Sequence, residues 1–208
     1  MLKIAPEGWP FVAVTAVLTV ITYLIWQPWI AVLPLILFLF MLYFFRDPER
    51  TIPEEKDIFV SPADGKVILV KDTTEEEYIR DKVKQVSIFM SPFNVHVNRA
   101  PCNGKVEKVK HTPGGFSAAY TDEASLSNEN IAMLLNTEYG RVLVRQVAGL
   151  IARRAVCRVS PGDPLKRGQR YGMIKFSSRV DLYLPVAVQI EVKAGQKVRA
   201  GETIVARK

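Results

Sequence analysis

The fold of this chain is decided by two copies of one short pattern, Val159-Ser160-Pro161-Gly162-Asp163-Pro164-Leu165-Lys166-Arg167-Gly168 and Val192-Lys193-Ala194-Gly195-Gln196-Lys197-Val198-Arg199-Ala200-Gly201. In both copies a valine, a glycine, an aliphatic residue and a second glycine recur at the same spacing. Glycine tolerates the positive φ angles that tight turns between short strands require. The repeat therefore predicts a compact sandwich or barrel of short strands.

Short apolar runs separated by turn residues extend this pattern upstream. The glycine repeat resembles the hammerhead turns of biotinyl and lipoyl domains, and Ser61-Pro62-Ala63-Asp64-Gly65-Lys66-Val67 is a candidate opening of another such turn. The domain is expected to be mostly β. Strands are predicted at 67–70, 83–90, 104–109, 131–136, 142–147, 156–159, 171–176 and 187–192, with short helices at 74–82 and 149–154.

The N-terminal part of the chain is an apolar segment, because residues 9–45 carry no charged side chain. One straight helix over this segment would be roughly 55 Å long, against a hydrocarbon core of roughly 30 Å. Gln27-Pro28 lies near its middle and would break a helix. We therefore predict a membrane helical hairpin, either a double span or a re-entrant pair. A cleaved signal peptide fits less well, because the run is long and lacks a small-residue cleavage site.

The predicted domains are thus a membrane anchor, 1–45, and a β-rich domain, 46–208. Lys3 and Glu7 cancel each other, so the formal net charge of +7 belongs to the second domain, which anionic lipid would attract. Basic residues at both ends of the anchor favour a cytoplasmic domain. The chain has no basic run interleaved with aromatic residues, so nucleic acid is not a predicted partner. Cys102 and Cys157 form no Cys-x-x-Cys pair, which predicts neither zinc nor a disulfide but buried thiols.

Three residue types in the β-rich domain are candidates for chemistry. Ser177-Ser178 follows a predicted strand, although most such pairs only hydrogen-bond nearby backbone, and no Gly-x-Ser-x-Gly elbow surrounds it. His96 is one of two histidines and is a candidate general acid or base, because imidazole titrates near neutral pH. His111 precedes a glycine-rich loop and has no predicted role. Asp64 could orient a histidine in a Ser-His-Asp arrangement, or simply serve as a turn residue before glycine.

Several segments together resemble one family. They are 44–48, 61–65, 137–141, 146–154, Phe89-Met90-Ser91-Pro92-Phe93-Asn94-Val95-His96-Val97-Asn98-Arg99-Ala100-Pro101-Cys102-Asn103-Gly104 and Gly172-Met173-Ile174-Lys175-Phe176-Ser177-Ser178-Arg179-Val180-Asp181-Leu182-Tyr183-Leu184-Pro185. In this order the segments are similar to phosphatidylserine decarboxylase proenzymes of the short bacterial and archaeal type. The resemblance covers the chain from Phe44 to about Pro185.

The resemblance implies a chain that cuts itself. The Ser178 hydroxyl would attack the carbonyl of Ser177, and elimination from the resulting ester would break the chain into a large subunit, 1–177, and a small subunit, 178–208. Residue 178 would become a pyruvoyl group with release of ammonia. The implied enzyme needs no metal and no added cofactor, and its large subunit has the small subunit as a partner.

The implied reaction converts phosphatidylserine to phosphatidylethanolamine and CO₂. The pyruvoyl carbonyl would form a Schiff base with the lipid amine and accept the electrons that CO₂ leaves behind. His96 would deprotonate Ser178 during maturation or donate a proton to Cα during turnover. Arg179 or Lys175 would bind the substrate carboxylate or phosphate, unless both are ordinary surface charges.

Two positions depart from the family pattern. Ser177 stands where a glycine usually precedes the cleaved serine, which leaves a cut before Ser177 as an alternative, although Ser178 fits the motif in register. Arg99 stands where larger members carry a second histidine, so the base that activates Ser178 is open.

We therefore predict a membrane-tethered, pyruvoyl-dependent decarboxylase at the cytoplasmic face of the cell membrane. Archaetidylserine is an alternative substrate, and a homo-oligomer is open. A membrane-anchored carrier of the biotinyl or lipoyl type is a rival, although the chain contains no Met-Lys-Met or Asp-Lys-Ala triplet. A serine peptidase built on Ser178, His96 and Asp64 is another, which should stay a single polypeptide.

Overall fold

The computed structural model describes residues 3–26, 28–115, 128–149, 154–176 and 178–208. Its internal contacts divide the chain into two compact units, Met1–Glu49 and Arg50–Lys208. Each unit is built from a different secondary structure.

The first unit is a pair of apolar helices, α1 (Trp9–Ile25) and α2 (Val32–Phe44), preceded by 3₁₀ turns at Pro6–Gly8 and Pro28–Ala31. The two helices pack against each other, which confirms the predicted helix pair. The predicted break is present between Ile25 and Pro28, while Gln27 lies outside the described residues. Among the described residues, Pro6–Ile25 is the one helix that is long and apolar enough to cross a membrane.

The threonines of α1 satisfy their hydroxyl groups within the helix. Thr15, Thr19 and Thr22 donate to the carbonyl oxygens four residues earlier, at 2.7, 2.8 and 2.7 Å. Such bonds are the usual way for a hydroxyl to be accommodated in an apolar helix. These side chains therefore need no water partner.

The second unit is built from strands, which confirms the predicted fold class. They form an eight-stranded sheet in the order β13-β2-β3-β11-β7-β6-β5-β9 and two three-stranded sheets, β4-β10-β8 and β1-β14-β12. The strands are β1 (Ile58–Val60), β2 (Gly65–Glu75), β3 (Asp81–Met90), β4 (Val97–Arg99), β5 (Gly104–Thr112), β6 (Asn130–Thr137), β7 (Gly140–Ala148), β8 (Arg154–Cys157), β9 (Pro164–Leu165), β10 (Arg170–Lys175), β11 (Ser178–Pro185), β12 (Gln189–Ile190), β13 (Lys197–Val198) and β14 (Ile204–Arg207).

Both faces of β11 are buried. Val180, Leu182 and Leu184 belong to the larger hydrophobic core, whereas Tyr183 belongs to a smaller core on the other face. Successive side chains of a strand point to opposite faces. Ser178 therefore shares the face of Val180, and Arg179 and Asp181 share the face of Tyr183.

The two copies of the glycine pattern form equivalent turns. Gly162 and Gly195 both have positive φ, 100° and 93°, and each donates its N–H at 2.8 Å to a strand valine, Val106 and Val67 respectively. Further along each copy, Gly168 and Gly201 donate their N–H groups at 2.8 Å to the carbonyl oxygens of Ala100 and Ser61 respectively. The segments that receive these bonds, 61–67 and 100–106, are called here the first and second entry loops.

The entry loops continue the internal symmetry into the large sheet. β2 follows the first entry loop and has a register shift after Val67, and β5 follows the second and has one after Val106. The candidate turn opening predicted at 61–67 thus has a counterpart that sequence inspection missed. The large sheet consists of two similar halves, β13-β2-β3-β11 and β9-β5-β6-β7, joined by the pairing of β11 with β7.

The short helix predicted at 74–82 is wrong. β2 runs to Glu75 and β3 starts at Asp81, with a turn between them. The Glu75 carboxylate accepts the N–H groups of Tyr78 and Ile79 at 2.8 and 2.7 Å, so this acidic segment closes a hairpin. Most of the predicted helix at 149–154 lies outside the described residues, and residue 154 begins β8. The predicted strands 156–159 and 187–192 are displaced or shortened, to Arg154–Cys157 and Gln189–Ile190.

Candidate functional site

Ser178 lies at the head of β11 in the middle of the large sheet. It is opposite Met90 of β3 and Ala148 of β7, and its exposure is 0%. Its hydroxyl donates to the sulfur of Met90 at 3.5 Å. Ser177, predicted to lie on the other side of the cleaved bond, is outside the described residues.

The chain enters β11 through an unfavourable backbone conformation. Phe176, two residues before Ser178, has a φ of 61°. A residue with a side chain rarely adopts this left-handed region, and holding it there costs of order 1–3 kcal/mol. Strain of this kind is often found at functional sites.

A buried polar cluster surrounds Met90 on the same face as Ser178. The side-chain amide of Asn98, on β4, lies 3.8 Å from the Met90 sulfur. Gln146 of β7 donates to Asn98 Oδ1 at 2.8 Å and lies opposite Val180. The small sheet β4-β10-β8 therefore covers this face. Asn98 and Gln146 were missed as site residues, although both lie in the segments that carry the family resemblance.

His96 is fully buried just before β4. Its Nδ1 is 3.0 Å from the carbonyl oxygen of Asn94, so Nδ1 carries a proton and donates it, and in the neutral ring Nε2 is the acceptor nitrogen. The N–H of Ile174 donates to the backbone carbonyl of His96 at 3.3 Å. His96 is thereby attached to β10, the strand that leads to Phe176 and Ser178.

Asp64 lies in the first entry loop and is mostly buried. Its Oδ1 accepts the N–H of Ala200 at 2.8 Å, and its Oδ2 accepts Nη2 of Arg50 at 2.7 Å. Asn103, the equivalent residue of the second entry loop, accepts the N–H of Arg167 at 2.8 Å. The Asp64 carboxylate therefore caps a distant turn at Ala200, which is not the local Asp-Gly turn of the sequence interpretation, and its role toward a histidine stays a prediction.

The two basic residues predicted as substrate ligands lie in different surroundings. Lys175 ends β10 and is half-buried. The Arg179 side chain is 1% exposed and forms an ion pair with Asp181, on the face opposite Ser178. This geometry brings Arg179 close to β3 rather than to an open surface.

An open pocket of about 520 Å³ lies further along the face that carries Ser178. It is bordered by His111, Glu129 and part of β8, and His111 Nε2 is 3.2 Å from Glu129 Oε1. The backbone carbonyl of Glu129 accepts the N–H of Ala148 at 2.9 Å, and Ala148 lies opposite Ser178. The pocket is therefore about two strand spacings, roughly 10 Å, from the Ser178 backbone.

The two thiols of the chain are protonated at neutral pH. Burial raises the pKa of Cys102 to about 12 and also raises the pKa of Cys157. Both cysteines are unpaired. Within the described part of the chain, no group of three or more His, Cys, Asp or Glu residues is arranged to hold a metal ion.

Comparisons with known proteins agree on one family. A family model described as phosphatidylserine decarboxylase matches residues 37–206. A phosphatidylserine decarboxylase proenzyme of Desulfotalea psychrophila is 46% identical over 97% of this chain and 95% of its own length. A protein of the same name from Syntrophus aciditrophicus is 48% identical over 96% and 95%, and one from Burkholderia ambifaria is 43% identical over 98% and 95%.

Proposed function

Because this chain belongs to the phosphatidylserine decarboxylase family, we propose that it is a phosphatidylserine decarboxylase that activates itself by cutting the bond between Ser177 and Ser178. The observation that carries this proposal is the position of Ser178, a buried hydroxyl at the head of the central strand β11. The positive φ of Phe176 supports it, because strained backbone of this kind clusters at functional sites.

The cut follows from the chemistry of the serine itself. Oγ of Ser178 attacks the carbonyl carbon of Ser177, and the peptide nitrogen leaves that carbon, which gives an ester. Loss of the Cα proton of residue 178 then expels the Ser177 carboxylate and breaks the chain. Water hydrolyses the remaining dehydroalanine to a pyruvoyl group and ammonia. The products are subunits 1–177 and 178–208.

The surroundings of Ser178 fit a pyruvoyl group. Conversion turns Cβ into a methyl group and removes the hydroxyl, and the described partner of that hydroxyl is a thioether, Met90. A thioether packs well against a methyl group. A bound pyruvoyl group supplies a ketone that captures the substrate amine and accepts the electrons released with CO₂.

The remaining site residues have proposed roles in proton transfer and binding. His96 acts as the acid or base through Nε2, since its Nδ1 is committed to Asn94. The Asp64 carboxylate orients a histidine in the proposed Ser-His-Asp arrangement. Lys175 is the proposed ligand of the substrate carboxylate or phosphate, because it is half-buried at the end of β10. The pocket beside His111 and Glu129 is the proposed route for the headgroup.

The substrate explains the N-terminal unit. Residues 1–45 are proposed to tether the domain 46–208 to the cytoplasmic face of the membrane, where a two-tailed lipid resides. The apolar helix Pro6–Ile25 supports attachment to a membrane by its length and composition. The basic domain would add attraction to anionic lipid.

Intact-mass analysis of matched serine variants tests the proposal. We expect two fragments from the natural protein, the smaller blocked at its N-terminus and reactive with hydroxylamine. Ser177→Ala should still be cut, whereas Ser178→Ala should stay whole and inactive. The opposite pattern would move the cut to Ser177, and an uncut, fully active natural protein would refute self-cleavage.

A further inference from the structure

The side chain that follows Ser178 is anchored to the neighbouring strand. Nε of Arg179 donates to Oδ1 of Asp181 at 2.5 Å, and its Nη2 donates to Oγ of Ser87 on β3 at 3.0 Å. Gln85 also donates to the Ser87 hydroxyl, at 3.0 Å. Asp181 lies opposite Ser87 in the register of β11 with β3. These contacts tie the first residues of β11 to β3 on the face opposite Ser178.

Folding stability is a weak explanation for this anchor. The Arg179 and Asp181 side chains are 1% and 0% exposed, and removing two charges from water costs about as much as their attraction returns. Well-packed apolar side chains of similar volume would serve the fold equally well. The location of the ion pair, directly beside residue 178, is the more informative observation.

Self-cleavage creates a specific need at this position. After the cut, residue 178 is the first residue of the small subunit and has lost its backbone N–H with the ammonia. Chain ends are poorly ordered unless something ties them down. A reacting group must nevertheless be held to within about 0.5 Å of its productive position.

We propose that Arg179 is a positioning residue that holds residue 178 in place after the chain is cut, by anchoring β11 to Asp181 and Ser87. The inference rests on the proposed function, because it concerns the chain end that self-cleavage generates. It also replaces the predicted role of Arg179 as a substrate ligand, since the guanidinium faces away from the Ser178 side of the sheet.

The test compares two buried ion pairs on this face. Arg179→Met with Asp181→Leu removes the anchor without leaving an unpaired charge. Arg145→Met with Glu75→Gln removes a second buried pair, in which Arg145 Nη2 lies 3.3 Å from Glu75 Oε1, and keeps an acceptor for the Tyr78 and Ile79 N–H groups. The full-length chain is used in detergent, with phosphatidylserine micelles as substrate.

We expect both double variants to be cut into two fragments. In the anchor variant, kcat should fall about tenfold with KM changed less than twofold, and amide hydrogen exchange in a peptide spanning 179–185 should speed up at least tenfold. The control variant should keep the natural kcat and KM; its amide exchange is not compared, because Arg145 lies opposite Asp181 and 5.6 Å from the Tyr183 ring, within the measured peptide. A raised KM with unchanged kcat, an equal loss in the control, or failure of the anchor variant to be cut would each overturn the inference.

A second measurement does not depend on the variants folding. Amide hydrogen exchange in the peptide spanning 179–185 is compared between the cut natural protein and the uncut Ser178→Ala chain. We expect the exchange rates of the two proteins to agree within threefold. Loss of protection on cutting would overturn the inference. If the natural protein is never cut, the proposed function itself fails, which the intact mass shows separately.

Discussion

The two halves of the large sheet end differently at the same place. In one half, Thr137 of β6 pairs with Gly140 of β7, and a two-residue turn joins them. In the other half, the matching strand ends are Met90 of β3 and Ser178 of β11, which are far apart in the sequence. The ladder at Ser178 therefore does not depend on a turn. A cut there leaves β11 paired with β3 on one side and with β7 on the other.

The entry loops of the two halves differ in one chemically important residue. Asp64 and Asn103 both accept a turn N–H at 2.8 Å through Oδ1. An amide performs this task as well as a carboxylate, so the charge of Asp64 is not needed for the turn. The charge is instead paired with Arg50, which also contacts Glu202 at 3.3 Å. The comparison therefore shows that the turn itself does not require the negative charge of Asp64.

Exchanging these two residues should give the largest effect. Asp64→Asn keeps an Oδ1 acceptor for Ala200 but removes the charge. We expect self-cleavage to slow by roughly 10²-fold, the lower end of what general acid–base catalysis contributes, because Asp64 would act through a histidine. Asn103→Asp, the matched exchange in the second entry loop, should be cut at the natural rate. The rate of self-cleavage is measured from the fraction of uncut chain at successive times after cell-free synthesis.

The exchange can also fail in an informative way. Normal cutting of Asp64→Asn would show that Asp64 serves only its turn, as Asn103 does. Circular dichroism of both variants should match that of the natural protein, because Arg50 retains Glu202 as a partner. An unfolded Asp64→Asn variant would show that the ion pair with Arg50 is required for the fold.

Alanine at the turn glycines should destabilise both halves to a similar degree. A Cβ on Gly168 would lie 2.3 Å from Ile52 Cδ1, and one on Gly201 would lie 2.9 Å from the same atom. Crowding and the positive φ together should cost about 2–4 kcal/mol. Gly162→Ala and Gly195→Ala have open space and should cost about 1–2 kcal/mol from φ alone. Urea unfolding of the uncut Ser178→Ala chain measures these differences.

A clear difference between the halves would contradict the equivalence of the two turns. If Gly162→Ala cost as much as Gly168→Ala, contact with Ile52 would not contribute. If only one half responded, the sheet would owe its stability mainly to that half.

The sequence predicted the β fold, the helix pair and the turn repeat because glycine spacing and apolar runs are local patterns. The sequence also carries a local signal that Asn103 is the counterpart of Asp64, because residues 62–67 and 101–106 share proline, glycine, lysine and valine at the same spacing, but this second repeat was missed. The cluster of Asn98 and Gln146 around Met90 has no such local signal, because its members come from strands of different sheets. The predicted helix at 74–82 was wrong because the Glu75 carboxylate closes a turn that residue propensities do not indicate.

The last difference between the entry loops concerns Cys102, which stands where the first entry loop has Ala63. Burial raises the pKa of the Cys102 thiol from 9.0 to about 12, so the folded state binds its proton more tightly than the unfolded state does. The resulting contribution to the free energy of unfolding is complete below pH 9. It is lost as the pH rises toward 12, at about 1.4 kcal/mol per pH unit.

Cys102→Ala makes the second entry loop resemble the first and should remove this alkaline loss. Between pH 8 and pH 10.5, the uncut Ser178→Ala chain should lose about 2 kcal/mol more unfolding free energy than the same chain carrying Cys102→Ala. Cys157→Ala is the control and should recover less, because Cys157 is only partly buried. Equal losses of unfolding free energy in all three chains would mean that the Cys102 thiol ionises without opening the second entry loop. The two entry loops would then differ in packing, although their backbone hydrogen bonds are equivalent.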